Sequence, residues 1–117
     1  MDPRHQKRIH VVQNLFAKTF SHGSQDNLLN EADEITTNVI KNETEIDSLI
    51  AKYAPKFPVD RIAKTDLAIL RLAVYELIIQ PNEPEKVIIN EAVELAKEFG
   101  GEKSYAFVNA VLGTILK

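Results

Sequence analysis

From Arg61 to Gln80 the chain leaves a helix almost no polar face. Ile62, Leu67, Ile69, Leu70, Leu72, Val74, Leu77, Ile78 and Ile79 fall on nearly every side of it. A helix apolar nearly all round is buried nearly all round, so the remaining segments must enclose this one. The expectation is a central helix, capped by Asp60 or Thr65, that touches both the C-terminal segments and the N-terminal half. Gln80 to Pro84 (QPNEP) ends it. Arg71 and Glu76 stand out within it, because a buried charge must be paired or reach the surface. Glu91 or Glu94 of the following helix is the expected partner of Arg71.

The C-terminal segments read as a helical hairpin. Pro84 suits a first turn, where its missing N–H would be unpaired anyway. Val87, Ile88, Ala92, Leu95, Ala96 and Phe99 then recur three or four apart, as on one helix face. Gly100 and Gly101 stop the helix, since glycine enters the left-handed conformation at no steric cost. The last helix carries Val108, Val111, Leu112, Ile115 and Leu116 on one stripe. Lys103 and Phe107 share its flank, with Asn109 also off the stripe. A lysine beside a semi-exposed aromatic can hold a phosphate while the ring stacks on an unpaired base. Packing of Phe107 at the edge of the core against the first helix is the competing reading.

The N-terminal half is less regular. Met1 to Phe20 reads as a helix with Ile9, Val12, Phe16 and Phe20 as its core stripe. Arg4, Lys7, Arg8, Val11, Leu15 and Lys18 then cluster on roughly the opposite side. Such a basic face suits phosphates; a solvated face, the usual source of a local charge excess, is the competing reading. Ser21 to Asn27 is a turn, and a second helix runs from about Asp26 to Asn42 along Leu28, Ala32, Ile35 and Val39. Asn42 or Thr44 can cap a third, with Ile46, Leu49, Ile50 and Tyr53, or the two form one bent helix. Pro55 and Pro58 mark the boundary between residues 1–56 and 57–117. The fold class is all-α: one compact helical domain of two small packed three-helix bundles, as 117 residues allow.

Composition excludes several functions. The sequence has no cysteine, so disulfides and thiolate metal sites are out. No apolar run approaches the roughly 20 residues of a membrane span, and the charged start lacks a secretory apolar core. The expectation is a soluble cytoplasmic protein. The formal charge of -3 divides into +3 over residues 1–20, -5 over 21–60 and -1 over 61–117. His5, His10 and His22 lack metal-ligand spacing and read as solvent or packing residues. The acids scatter, no glycine-rich loop follows a strand, and no Ser/His/Asp grouping is present. Binding is expected rather than catalysis, with no metal and no cofactor.

Residues 61–77, RIAKTDLAILRLAVYEL, resemble the central helix of the NusB family of transcription antitermination factors. Residues 87–100, VIINEAVELAKEFG, followed by Ser104 and Phe107 to Leu112, resemble that family's C-terminal signature. Arg4 to Phe20 match its arginine-rich first helix more loosely. The resemblance implies an all-helical protein that binds boxA-like single-stranded RNA of ribosomal RNA leaders together with NusE, a ribosomal small-subunit protein. The complex joins RNA polymerase and suppresses termination. On the matching positions, Arg4, Lys7, Arg8, Lys103, Phe107 and Asn109 would take RNA, and Asp66 and Arg71 would face NusE. A helical protein–protein adaptor or a homodimer without significant RNA binding is the alternative.

The chain departs from the family pattern in places. His5 and Gln6 interrupt the arginine cluster, Ala110 stands where glycine is usual, and Phe16 where tyrosine is common. The N-terminal half is short by about one helix, which is expected to expose Leu15 or Val11. The family domain also occurs fused to RNA cytosine methyltransferases, but the sequence holds no catalytic domain of that kind.

Overall fold

The computed structural model describes residues 3–19, 33–54, 56 and 58–116. They form α1 (Pro3–Lys18), α2 (Glu34–Lys41), α3 (Glu43–Tyr53), a 3-10 turn (Val59–Arg61), α4 (Lys64–Val74), α5 (Glu85–Phe99) and α6 (Glu102–Ile115), with no strand among them. The expected turn at Ser21–Asn27 and the start of the second helix, with Leu28 and Ala32, lie outside the described residues, as do Phe20 and His22. α2 begins where Asp33 caps it, its carboxylate accepting from the Thr36 N–H at 2.6 Å. α2 and α3 are two helices meeting at Asn42, whose side chain donates to the Asn38 carbonyl at 2.7 Å.

α4 is the enclosed helix that its composition demands. Every residue from Asp66 to Tyr75 is buried, with Leu70 and Val74 fully so. α1, α3, α5 and α6 all pack on it. Its start differs from expectation. Ala63, not Asp60 or Thr65, occupies the cap position and no side chain caps the helix. Asp66 in the first turn instead sets a negative charge near the helix N-terminus, where the macrodipole favours one. Its end differs too: Tyr75–Ile79 form a π turn closed by Gln80 N–H to the Tyr75 carbonyl at 2.9 Å. Beyond that turn burial falls away, with Leu77 and Ile79 half-buried and Ile78 exposed.

Arg71 is buried and held by α3, not by α5. Its Nε and Nη2 donate to the two carboxylate oxygens of Asp47, both at 2.9 Å, and Glu43 lies 3.0 Å from Nη2. Periodicity identifies the face of α4 that carries Arg71 but not the helix that covers that face, so the expected Glu91 or Glu94 partner was misassigned.

α1 is rotated from its expected setting. Val11 and Leu15, assigned to the polar side, are buried at 0% and 3% exposure, as is Val12, whereas Ile9 and Phe16 are only half-buried. α1 packs on both α4 and α2, so its buried stripe centres on Val11, Val12 and Leu15. The short N-terminal half therefore exposes neither Val11 nor Leu15. In the hairpin, Val87, Phe99 and Leu116 are exposed rather than core. The left-handed residue is Gly101 alone, at φ 91°. Gly100 has φ -119°, and a Cβ there would collide with the Ser104 side chain.

α1 is also clasped to α5 by His5. Nδ1 donates to Glu91 at 2.6 Å and Nε2 to Glu98 at 2.9 Å. Carboxylates only accept, so both bonds at once require the imidazolium. The bonds to Glu91, then to Glu98, outweigh burial and raise the His5 pKa above 6.5.

Two outcomes follow from this packing. Leu70→Ala is expected to cost about 2–5 kcal/mol, as for large-to-small changes in a core, read by denaturant unfolding. A loss below about 1 kcal/mol would contradict the enclosure of α4. The His5 clasp contributes stability in full below the unfolded pKa of 6.5, and loses it as pH rises through the higher folded value. The gap in Tm between the parent and His5→Gln should therefore be larger at about pH 5.5 than at about pH 8.5. A gap independent of pH would remove the clasp.

Candidate functional site

The first two turns of α1 place four basic side chains in a fan. Taking Arg4 as origin and about 100° per residue, Arg8 lies between Arg4 and His5, and Lys7 stands off the other side. Arg8 therefore points at the protein, flanked by Arg4 and His5. Opposite it the chain sets carboxylates from three elements: Glu76 in the π turn, Glu83 in the loop before α5, and Glu91 on α5.

Arg8 is 6% exposed. Its Nε donates to both oxygens of Glu76, at 3.1 and 3.0 Å, its Nη2 to Glu83, and its Nη1 lies 4.0 Å from Glu91. Burial opposes its charge, but the bonds to Glu76 and Glu83 outweigh burial and raise its pKa further. Burial likewise pushes the Glu76 carboxyl above its ordinary range, against the pull of Arg8 and with the help of negative Glu83 and Glu91 nearby. Glu83 reaches a second cation: its Oε1 accepts from Arg4 Nη1 at 2.6 Å. Arg4, His5 and Arg8 thus meet four carboxylates, those of Glu76, Glu83, Glu91 and Glu98. The basic end of α1 is locally offset.

Lys7 is the exception. It is exposed and pairs with no carboxylate among the described residues. With Arg4 and Arg8 it borders a cleft of about 450 Å³ between α1, α2 and the π turn. Tyr75 lines the cleft, its hydroxyl accepting from Asn38 at 3.2 Å.

The other nucleic-acid candidates lie on α6, which packs on α4 and α5. Lys103 is exposed, and Phe107, one turn on, is half-buried against the core. Asn109 is exposed about 200° further round the helix than Phe107, so those two do not share a face. α5 links the two groups of candidates. It holds His5 through Glu91 and Glu98, and Lys97 on α5 stands 5.1 Å from the Tyr105 ring of α6.

Asp66 and Arg71 sit elsewhere on α4. Arg71 borders a second cleft of about 480 Å³ with Lys18, Glu43, Asp60 and Lys64. Asp66 is 7% exposed, and its Oδ1 accepts no hydrogen bond among the described residues. Those residues hold no group of three His, Asp or Glu side chains that could bind a metal, and no helix among them is long and apolar enough to cross a membrane.

Sequence reasoning missed His5 and Glu83. His5 falls one residue after Arg4 and three before Arg8, a spacing that puts it at the edge of the same helix face. That spacing was a usable signal. Glu83 lies in a loop, where no periodicity reports direction.

The NusB family model matches residues 4–117. The transcription antitermination protein NusB of Acetivibrio thermocellus is 47% identical over 94 residues, which make up 76% of this chain and 65% of that protein. The chain thus spans slightly under two-thirds of that relative. The NusB of Caldicellulosiruptor saccharolyticus is 40% identical over 105 residues, 86% of this chain and 80% of that one. Among solved structures, T. maritima NusB superimposes with a TM-score of 0.85 at 33% identity, covering 97% of this chain and 90% of that chain. The fold is also shared, at TM-score 0.81 and 24% identity over 97% of each chain, with a structure of the antitermination factors NusB and NusE in complex with dsRNA. The chain belongs to the NusB family.

Proposed function

We propose that this chain is an RNA-binding transcription antitermination factor. It takes boxA-like single-stranded RNA of ribosomal RNA leaders together with NusE and joins RNA polymerase, in the cytoplasm. The observation that carries the reading is family membership across residues 4–117, with relatives named as transcription antitermination proteins. The work is binding, not catalysis, and needs no cofactor.

The side chains divide the task by exposure. Lys7 and Arg4 on α1 and Lys103 on α6 point outward and supply phosphate contacts. The partly exposed ring of Phe107 supplies a stacking surface, and Asn109 a polar contact at the margin. Arg8 serves from inside: its bonds to Glu76 and Glu83 fix the angle at which α1 presents Arg4 and Lys7. NusE meets the other side of α4. There Asp66 stands in the first turn of α4 with a buried oxygen that accepts no hydrogen bond among the described residues, and Arg71, held by Asp47, shapes the adjoining cleft.

One observation favours the adaptor reading, with or without homodimer formation. The carboxylates around Arg4, His5 and Arg8 offset much of the charge that an RNA-binding helix needs. Affinity for boxA-like RNA at several salt concentrations, with and without NusE, decides between the two. Lys7→Ala should weaken binding and flatten its salt dependence by about one charge contact. Phe107→Ala should cost about 1–3 kcal/mol of binding with the salt slope nearly unchanged, in a protein whose Tm is close to the parent's. If Lys7→Ala binds as the parent does at every salt concentration, the adaptor reading stands. If Phe107→Ala lowers stability by several kcal/mol, the ring belongs to the core.

A further inference from the structure

Resting on the RNA-binding reading, we infer that Glu83 is an internal stand-in for an RNA phosphate, which the ligand must displace from Arg4. Glu83 uses both carboxylate oxygens, Oε1 on Arg4 at 2.6 Å and Oε2 on Arg8. A guanidinium offers carboxylate and phosphate the same planar fork, so the two ligands compete for it.

Three features make the Arg4 contact exchangeable while Arg8 keeps its bonds to Glu76. Arg4 is 69% exposed at its side chain, whereas Arg8 is 7% exposed. Arg8 retains both oxygens of Glu76 when Glu83 leaves, so its buried charge is still neutralised. Glu83 lies between the π turn and α5, among the exposed residues Asn82 and Pro84. That loop lies outside α4. The like charge of Glu76 beside it also favours its departure once a phosphate has taken Arg4.

The exchange has a signature in salt dependence. A cation that meets a phosphate after giving up a carboxylate adds little net charge to the interface, because the freed carboxylate recruits a cation of its own. Arg4 should therefore contribute less affinity and less salt slope while Glu83 is charged than once it is not.

The experiment measures affinity for a boxA-like single-stranded RNA oligonucleotide at several salt concentrations. It uses the full chain, Glu83→Gln, Arg4→Ala and the double variant. Glu83→Gln should bind about 3- to 5-fold tighter, the worth of one exposed ion pair, with a salt slope steeper by about one. Arg4→Ala should cost about 3- to 5-fold more affinity in the Glu83→Gln background than in the parent, removing the whole gain there. In the unaltered protein, added RNA should shift the side-chain carboxylate carbon resonance of Glu83, a readout that holds even if a variant folds poorly. Equal losses from Arg4→Ala in both backgrounds, or a Glu83 resonance that RNA leaves unmoved, would overturn the proposal while the parent still binds RNA. Absence of binding by every form at every salt concentration would instead remove the RNA reading and this inference with it.

Discussion

A guanidinium in the seam between α1 and the rest of the protein stays charged only if carboxylates replace the water it has lost. Arg8 sits in that position, and much of the N-terminal geometry follows from satisfying it. Leaving one such buried charge without its partners costs several kcal/mol. Glu76, Glu83 and Glu91 therefore converge on it from the π turn, a loop and α5. Their combined charge exceeds that of Arg8, and the excess recruits Arg4 and His5. One buried cation thereby fixes the path of the Gln80–Pro84 loop, the rotation of α1 and the register of α1 against α5.

The same logic runs on the far side of α4, where Arg71 is satisfied by Asp47 and Glu43. The central helix is thus enclosed by apolar packing along its length and tied by two arginine networks to different neighbours. Arg8 ties α1 to the π turn that follows α4. Arg71 ties α4 to α3. These ties act in direction rather than in strength, since a buried ion pair adds little net stability over an apolar one. What they add is a single rotation for each helix about its own axis.

That division explains what was legible in the sequence. The existence of the helices, the enclosure of α4 and the glycine corner were readable, because each is local: a period, an apolar run, a residue free to take positive φ. The face of α1 was not. Ile9, Val12 and Phe16 and the pair Val11 and Leu15 define two apolar stripes, and only the neighbours decide which turns inward. α2 and α4 both lie against α1, which selects Val11, Val12 and Leu15 and carries Arg8 in with them. The same limit misassigned Arg71, since the pattern of α4 is silent on whether α3 or α5 covers a given side. In the candidate site, Lys7 and Lys103 were legible as exposed cations. The role of Glu83 was not, because a loop side chain has no period to read.

A count of arginines along α1 consequently overstates the charge that a ligand meets. Arg8 is spent inside the fold, His5 is shared between two carboxylates, and Arg4 is held by a third. Only Lys7 faces outward without a carboxylate among the described residues. Attraction to an RNA backbone scales with the phosphates actually neutralised, so a helix arranged in this way attracts RNA weakly by itself. If such a surface takes RNA as proposed, selectivity has to come from groups that need close contact, such as the ring of Phe107, and from charges that a partner adds beside it. On the proposed RNA-binding reading, a sparse, internally offset α1 therefore serves as one half of a composite surface. The carboxylates that make the helix stand correctly are the same ones that offset the charge it would turn towards a nucleic acid.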